Sequence, residues 1–168
     1  MPEVFVGAGS NVEPRRHLGA AFRALAEQFG LLRLSPVYRN RPVGFEGEDF
    51  LNLVISFDTD RPVGEVAATL AAIEAANGRT RGEAKFAART LDLDMLLYGD
   101  LVGDADGVQL PRDEITRYPF VLKPLADLAG ERLHPVLGQS FVELWNNFEG
   151  ASHPLILVDG DFAAEVAL

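Results

Sequence analysis

Residues 90–98 read Thr-Leu-Asp-Leu-Asp-Met-Leu-Leu-Tyr, and apolar and polar side chains alternate along this stretch. Such a period of two residues is typical of a β-strand with one buried face. Asp92 and Asp94 lie on the opposite face, because side chains two residues apart in a strand point the same way. The face that we expect to be buried carries Leu91, Leu93, Met95 and Leu97.

The first part of the chain predicts a strand, a helix and a second strand. Residues 3–8 form a short β-type run that ends in a cluster of Gly, Ser and Asn, and a helical apolar period then runs from Pro14 to Gly30. We expect the second strand within residues 32–43. It should lie at a sheet edge or carry a bulge, because Pro36 has no N–H to donate to a neighbouring strand.

The pattern of strand and helix then repeats and leads into the strand at 90–98. Residues 50–58 alternate as a third strand, and a second helix begins at Val63 and ends before Gly78. The resulting order, βαββαβ, is typical of an α+β fold, the ferredoxin-like sandwich. In this fold an antiparallel sheet carries its helices on one face, so we expect the other face to be free for a ligand.

After residue 99 the patterns predict C-terminal additions to this sandwich. No linker, repeat or low-complexity segment divides the chain, and we therefore expect one domain over residues 1–168. The added elements that we expect are a strand at 108–110, short helices at 120–128 and 141–148, and a final strand at 154–158 followed by a turn at 159–161. This last segment is either an added edge strand or a loosely attached terminus.

The composition indicates an acidic protein with one sizeable core. Of the 168 residues 48% are apolar, and the formal net charge of -10 disfavours non-specific binding to nucleic acid or acidic membranes. The chain has no cysteine, no apolar run of the ~18 residues that a membrane span needs, and no basic leader at its N-terminus. We expect a soluble cytoplasmic monomer.

The two aspartates of the strand at 90–98 are candidate metal ligands. Two carboxylates at this spacing repel one another unless a cation lies beside or between them, and their hard oxygen atoms suit Mg²⁺. Two bridged metal ions would be reasonable. The alternative is that Asp92 and Asp94 are simply solvated on an exposed face of the sheet.

A basic segment precedes this strand in an otherwise acidic chain. Metal-binding carboxylates next to clustered cations indicate a polyphosphate substrate, because phosphoryl and diphosphoryl transfer require neutralisation of the phosphate oxygens. A solvated charged loop is the alternative. Neither a P-loop nor a dinucleotide-binding motif accompanies the segment, and the three histidines lack a metal-ligand spacing. The four cations are Arg79, Arg81, Lys85 and Arg89.

Phe50 and Asn52 share the face of their predicted strand that is opposite the apolar one. An aromatic ring beside an amide suits a flat heterocycle, which stacks on the ring and bonds to the amide at its edge. Alternatively, Phe50 packs under the loop at 44–49.

Several longer motifs resemble one known family. Residues 89–99, Arg-Thr-Leu-Asp-Leu-Asp-Met-Leu-Leu-Tyr-Gly, follow Gly-Arg-Thr-Arg at 78–81 and closely resemble the signature of 6-hydroxymethyl-7,8-dihydropterin pyrophosphokinases. Further similarities are Gly-Ser-Asn at 9–11, Phe-Leu-Asn at 50–52, and Phe-Val-Leu at 120–122 with Pro-Leu at 124–125. The resemblance covers about residues 3–150 and leaves 151–168 as a C-terminal extension.

The resemblance implies a ferredoxin-like fold and transfer of diphosphate from ATP to the pterin hydroxymethyl oxygen, leaving AMP, with two Mg²⁺ ions. The implied metal ligands are Asp92 and Asp94, which would act in the transfer together with Arg79 and Arg89. The implied ligands of the nucleotide and its phosphates are Glu74, Arg79, Arg81, Lys85, Arg89 and Arg112. The implied pterin site has Phe50 and Phe120 on the two ring faces, Asn52 at the edge, and the backbone of Val43, Gly44 and Phe45 along its wall.

The chain also departs from the family pattern. Phe86 stands where the family often has Trp, Ala88 where Pro is common, and Arg112 where a His usually follows the proline. Arg112 and Arg117 are therefore both candidate ligands of the triphosphate. Two other functions stay open from the residues alone: another Mg²⁺-dependent nucleotidyl or glycosyl transferase, and a noncatalytic ferredoxin-like module.

Overall fold

The structure is a computed structural model that describes residues 1–41, 47–78, 90–149 and 154–158. Its strands are β1 (Glu3–Ser10), β2 (Arg33–Leu34), β3 (Tyr38–Asn40), β4 (Phe50–Asp58), β5 (Asp92–Tyr98), β6 (Gly103–Ala105), β7 (Val108–Leu110) and β8 (Ile156–Leu157). Its helices are α1 (Pro14–Phe29), α2 (Val63–Ala76), α3 (Pro119–Ala129) and α4 (Phe141–Asn146), with a 3-10 turn at Asp113–Thr116.

The main sheet has the strand order β5-β1-β4-β3-β8, with β2 also pairing with β4, and every pair is antiparallel. The four strands of the βαββαβ unit therefore lie side by side in the order fourth (β5), first (β1), third (β4) and second (β3), which is the ferredoxin-like arrangement. The predicted fold is confirmed. Strands β6 and β7 form a separate hairpin.

The strand expected within 32–43 is interrupted around Pro36. Both of its parts, β2 and β3, pair with β4. Between them the Ser35 hydroxyl accepts a hydrogen bond from the Val54 N–H (2.8 Å), while the Ser35 N–H donates to the Val54 carbonyl (2.9 Å). A side chain therefore replaces one backbone group where proline breaks the ladder. The final strand, β8, covers the outer side of β3.

One face of the sheet packs on α1 and α2 and forms the larger core. The helices contribute Leu18, Leu25, Val66 and Leu70, and each of these side chains is at most 3% exposed. Burying one such side chain stabilises the fold by roughly 1.5–3 kcal/mol. The sheet contributes Val4, Val6, Ala8, Leu53, Ile55, Phe57, Leu93 and Met95 to the same cluster.

The second face is only partly free, because the C-terminal additions cover some of it. A second buried cluster joins Phe5, Val54 and Leu96 of the sheet to side chains of the 3-10 turn, α3 and α4. The expectation of a wholly free face is therefore too broad. The part of this face that carries Gly7, Gly9, Asn52, Asp92 and Asp94 lies outside that apolar cluster.

A bulge in β5 changes the face of one residue that the alternation pattern placed in the larger core. Phe5 pairs with Leu97 but Val6 pairs with Met95, so Leu96 is an extra residue in β5. Beyond this point the alternation is out of phase, and Leu97 joins the second cluster. The prediction that Leu97 shares a face with Leu93 was wrong.

None of the helices in the described ranges has both the length and the hydropathy that crossing a bilayer requires. The helix expected at 141–148 ends at Asn146 and begins after Ser140, whose hydroxyl accepts a hydrogen bond from the Glu143 N–H (3.2 Å). The turn expected at 159–161 lies outside the described residues.

His134 holds together the turn between α3 and α4. Its side chain is 6% exposed, and its Nδ1 accepts hydrogen bonds from the N–H groups of Val136 (3.2 Å) and Leu137 (3.1 Å). A ring nitrogen that accepts two hydrogen bonds carries no proton. Burial accordingly lowers the pKa of His134 below its ordinary value.

This environment predicts a loss of stability at acid pH. Because the pKa of His134 is lower in the folded than in the unfolded chain, the unfolded state takes up the proton first as pH falls below about 6.5. Wild type should therefore be more stable than His134→Gln at pH 8, and this advantage should shrink between pH 7 and pH 5. Urea unfolding of both proteins at each pH measures it, and a constant difference would contradict the prediction.

Candidate active site

Three directly paired residues form a row across the sheet, from the predicted pterin-binding amide to the predicted metal-binding carboxylates. In β1, Gly9 pairs with Asn52 of β4 on one side and with Asp92 of β5 on the other. Directly paired residues point to the same face, and neighbouring strands are ~4.8 Å apart, so Asn52 and Asp92 lie about 10 Å apart across a glycine. Gly7 makes the adjacent row with Asp94. The two glycines form a floor between an amide and a pair of carboxylates.

A side chain at Gly9 would collide with the Asn52 amide in its present position. A Cβ atom at residue 9 would lie 2.5 Å from the Asn52 Oδ1, which is closer than real contacts allow. At residue 7 a Cβ would instead meet the Leu96 side chain at an ordinary 3.5 Å. A side chain at residue 9 would therefore force the Asn52 amide to move.

The Asp92 and Asp94 carboxyl groups interact on one face of β5, and the Asp94 side chain is only 29% exposed. Burial raises the pKa of Asp94 well above its ordinary value, and the neighbouring Asp92 carboxyl raises it further. Within the described ranges no group of three or more His, Cys, Asp or Glu side chains forms a metal cage. Two close, half-enclosed oxygen donors nevertheless fit Mg²⁺, which keeps waters and binds substrate phosphates in addition to one or two carboxylates.

Arg112 is the cation nearest to Asp94 among the ion pairs that the structure describes. Its Nη2 lies 3.5 Å from the Asp94 Oδ1, and its Nε donates a hydrogen bond of 3.0 Å to the Glu114 Oε2. Its backbone N–H donates to the carbonyl of Leu96, the extra residue of the β5 bulge (3.0 Å). Glu114 gives no sequence signal beyond its place two residues after Arg112.

The other candidate for the triphosphate, Arg117, lies elsewhere. Its guanidinium pairs with Asp113 at 3.3 Å and lies 5.6 Å from the centre of the Tyr118 ring. Of the two arginines, the structure brings Arg112 to the carboxylate pair.

Glu74 ties the end of α2 to the edge strand. Its Oε2 accepts a hydrogen bond of 2.8 Å from the N–H of Leu93, the residue between the two aspartates. In the sequence, the basic segment begins at Arg79, shortly after α2 ends at Ala76. Its cations Arg79, Arg81, Lys85 and Arg89, and the wall residues Val43, Gly44 and Phe45, lie outside the described residues.

On the other side of the glycine floor, Asn52 belongs to a pair of amides. Its Nδ2 donates a hydrogen bond to the Oδ1 of Asn40, which is 4% exposed. Asn40 of β3 pairs with Phe50 of β4, so both amides and the aromatic ring lie on one sheet face. Sequence reasoning missed Asn40, since nothing local marks it; only the pairing of β3 with β4 brings it there.

The first turn of α3 carries the second predicted aromatic residue, Phe120. Its ring stacks on Tyr118, with centroids 5.1 Å apart. Asp127 of the same helix accepts hydrogen bonds from the Tyr38 hydroxyl and from Lys123 (2.9 Å), so α3 is fastened to β3 beside the amide pair. The sandwich of Phe50 and Phe120 around a ring stays a prediction.

Comparison with known proteins identifies the family of the chain. Residues 5–130 match the family model described as 7,8-dihydro-6-hydroxymethylpterin-pyrophosphokinase (HPPK). The chain belongs to the HPPK family. It is therefore a pyrophosphokinase.

Relatives named 2-amino-4-hydroxy-6-hydroxymethyldihydropteridine pyrophosphokinase come from several bacteria. The protein of Synechocystis sp. is 35% identical over 142 residues, which cover 83% of this chain and 72% of the relative. That of Pseudomonas aeruginosa is 38% identical over 130 residues, 75% and 80% of the two chains. The mitochondrial folate synthesis bifunctional protein of Pisum sativum is 33% identical over 89% of this chain but only 29% of its own length.

Solved structures show the same fold. The wild-type HPPK-DHPS of Plasmodium falciparum with pteroate superimposes with a TM-score of 0.70 at 12% identity, over 89% of this chain. This chain spans 45% of that longer one.

The glycine floor predicts a selective defect. Gly9→Ala should displace the Asn52 amide and weaken binding of 6-hydroxymethyl-7,8-dihydropterin by about five- to thirtyfold, roughly the cost of one lost amide pairing of 1–2 kcal/mol. Affinity for an ATP analogue should change little. Calorimetric titration with each ligand measures both affinities.

Gly7→Ala is the matched control, since it adds the same methyl group to the same strand face where there is space. Equal losses of pterin affinity in both variants would contradict the assigned role of Gly9.

Proposed function

We propose that this chain transfers diphosphate from ATP to 6-hydroxymethyl-7,8-dihydropterin in folate biosynthesis. The hydroxymethyl oxygen attacks the β-phosphorus, the bond from that phosphorus to the α,β-bridging oxygen breaks, and AMP leaves with that oxygen. The hydroxyl proton is lost. The observation that carries the proposal is the row Asn52, Gly9, Asp92, which places an amide and the first of two carboxylates on one sheet face, on either side of a glycine.

The carboxylate side of the floor suits the polyphosphate. We propose that Asp92 and Asp94 hold two Mg²⁺ ions, which would neutralise phosphate oxygens and make the β-phosphorus more electrophilic. Arg112 lies close enough to Asp94 to contact the same phosphates. Arg79, Arg81, Lys85 and Arg89 are proposed as further phosphate ligands, and Glu74 as a residue near the nucleotide.

The amide side of the floor suits the pterin. Its fused ring has alternating donors and acceptors at its edge, and an amide supplies both in fixed positions. Because Asn40 holds the Asn52 side chain by its Nδ2, the Asn52 amide is orientated before a ligand arrives. Phe50 and Phe120 are proposed to stack on the two ring faces, with the backbone of Val43, Gly44 and Phe45 along the wall.

The remaining expectations follow from the composition. A formal charge of -10 and the lack of cysteine support a cytoplasmic monomer that binds ATP and a pterin rather than nucleic acid or a membrane surface. The amide pair beside Phe50 favours the pterin substrate over other Mg²⁺-dependent transfers. A noncatalytic module has no need of the carboxylate pair.

One assay tests the proposed reaction. Protein, Mg²⁺, ATP and 6-hydroxymethyl-7,8-dihydropterin should together yield AMP, and no AMP should form when the pterin is omitted. Replacement of the pterin by other alcohols tests the broader transferase reading. AMP formation that does not depend on the pterin would contradict the proposal.

Asp92→Asn and Asp94→Asn should each lose most of the activity while the metal-free protein remains folded. The pKa of Asp94 is raised on folding, so at neutral pH this carboxyl group lowers the stability of the metal-free fold, and the amide removes this cost. The metal-free melting temperature of Asp94→Asn should equal or exceed that of wild type. Turnover near the wild-type rate, or a marked fall in melting temperature, would contradict the role as metal ligands.

Phe50→Ala and Phe120→Ala should each weaken pterin binding by about 1–3 kcal/mol, the range for stacking of a base on an aromatic side chain. Nucleotide affinity should barely change. Calorimetric titration distinguishes this outcome from a folding defect, which would weaken both ligands equally.

A further inference from the structure

Arg112 and Glu114 form an arrangement that the proposed transfer does not by itself explain. Two carboxyl groups, those of Asp94 and Glu114, lie within ion-pair distance of one guanidinium at the edge of the glycine floor. The side chains of Asp94, Glu114 and Arg112 are 29%, 18% and 35% exposed. At such partly enclosed positions, charges interact more strongly than on an open surface.

The two contacts of the guanidinium differ in kind. The bond from Nε to Glu114, at 3.0 Å, has the length of an ordinary hydrogen bond. The separation of 3.5 Å from Nη2 to Asp94 is longer than charge-assisted hydrogen bonds usually are. Glu114 therefore anchors the guanidinium, while Asp94 attracts it mainly through charge.

The backbone limits where Arg112 can go. Its N–H is bound to the Leu96 carbonyl, so the main chain is held against the bulge of β5. The main chain is held in this way, but the side chain can still rotate about its own single bonds, so the guanidinium can exchange partners. Its Nη2 lies beside the same carboxylate that is proposed to bind the metal.

We propose that Arg112 is the resident counter-cation of the carboxylate pair, positioned by Glu114, and that a metal ion entering at Asp94 must displace its guanidinium. This inference rests on the proposed function for the identity of the metal. A bare Mg²⁺ ion competes with the guanidinium for Asp94. A metal–nucleotide complex instead offers the displaced Nη groups new acceptors on its phosphate oxygens.

The two binding events should therefore respond to Arg112 in opposite directions. Arg112 weakens binding of the bare metal ion and strengthens binding of the metal–nucleotide complex. The site thus favours the complex over the free ion. A residue that only supports the fold would shift both affinities the same way.

The test is to titrate the metal-free chain with Mn²⁺, followed by electron paramagnetic resonance, and with Mg²⁺ by calorimetry, without nucleotide. Arg112→Gln should bind the bare ion about three- to tenfold tighter, as expected for removal of one partly screened charge. The same variant should bind a nonhydrolysable ATP analogue with Mg²⁺ about tenfold more weakly. Bare-ion affinity that is unchanged or lower in Arg112→Gln would overturn the proposal.

Two further variants separate the roles of charge and position. Arg112→Lys keeps the positive charge but lacks the planar guanidinium group, and it should bind the bare ion within about twofold of wild type. Glu114→Gln leaves the guanidinium to Asp94 alone and should weaken bare-ion binding, whereas tighter binding in this variant would contradict the positioning role. Arg23→Gln removes the same charge from an exposed place on α1, the helix on the opposite sheet face, and is the matched control.

Melting temperatures without metal provide a second measurement. Removing the counter-cation should lower the melting temperature of metal-free Arg112→Gln, and Mg²⁺ should raise it more than in wild type. An equal Mg²⁺ response in both proteins would overturn the proposal. Should wild type show this competition yet form no AMP from ATP and the pterin, the proposed function fails while the counter-cation role stands.

Discussion

The pairing of β1 on both of its sides is the constraint on which the rest of the structure depends. This strand lies between β4 and β5 and is paired with them along most of its length. A shift of one residue in either register would turn Asn52 or the two aspartates into the larger core and expose their apolar neighbours. Burial of Val4, Val6 and Ala8 against α1 and α2 therefore also holds the polar groups of the opposite face in place.

The β5 bulge links the ferredoxin-like unit to its C-terminal additions. By inserting Leu96, it turns Leu97 toward the second face, where both leucines pack with Phe5 and with side chains of α3 and α4. The carbonyl of Leu96 then receives the Arg112 N–H. A single irregularity thus completes the second core and sets a cation beside Asp94, in agreement with the tendency of bulges to occur next to active sites.

An acidic chain that handles a polyphosphate needs its positive charge in a few defined places. The structure shows one of them, at Arg112, where the carboxyl groups of Asp94 and Glu114 share one guanidinium. Without a further cation, such a cluster of carboxylates destabilises the fold, because like charges in a partly enclosed site repel one another. The proposed divalent ion and a phosphate, arriving together, would supply the missing charges of both signs. The same electrostatics that make the metal-free site costly thus favour the combined ligand.

The sequence by itself determined the order of the elements, the side of each strand that carries polar groups, and the motif that identifies the family. These follow from local periodicity, since residues two apart in a strand must share a face whatever else the chain does. Asp92 with Asp94 and Phe50 with Asn52 could be paired in this way. Tertiary structure alone decided that Gly9 lies between the two pairs, that Asn40 holds Asn52, that Glu114 and Leu96 position Arg112, and that the C-terminal helices cover part of the second face. Each of these depends on strands and turns far apart in the sequence, whose register no local pattern records, and at Leu96 the bulge breaks the very alternation from which the sequence was interpreted.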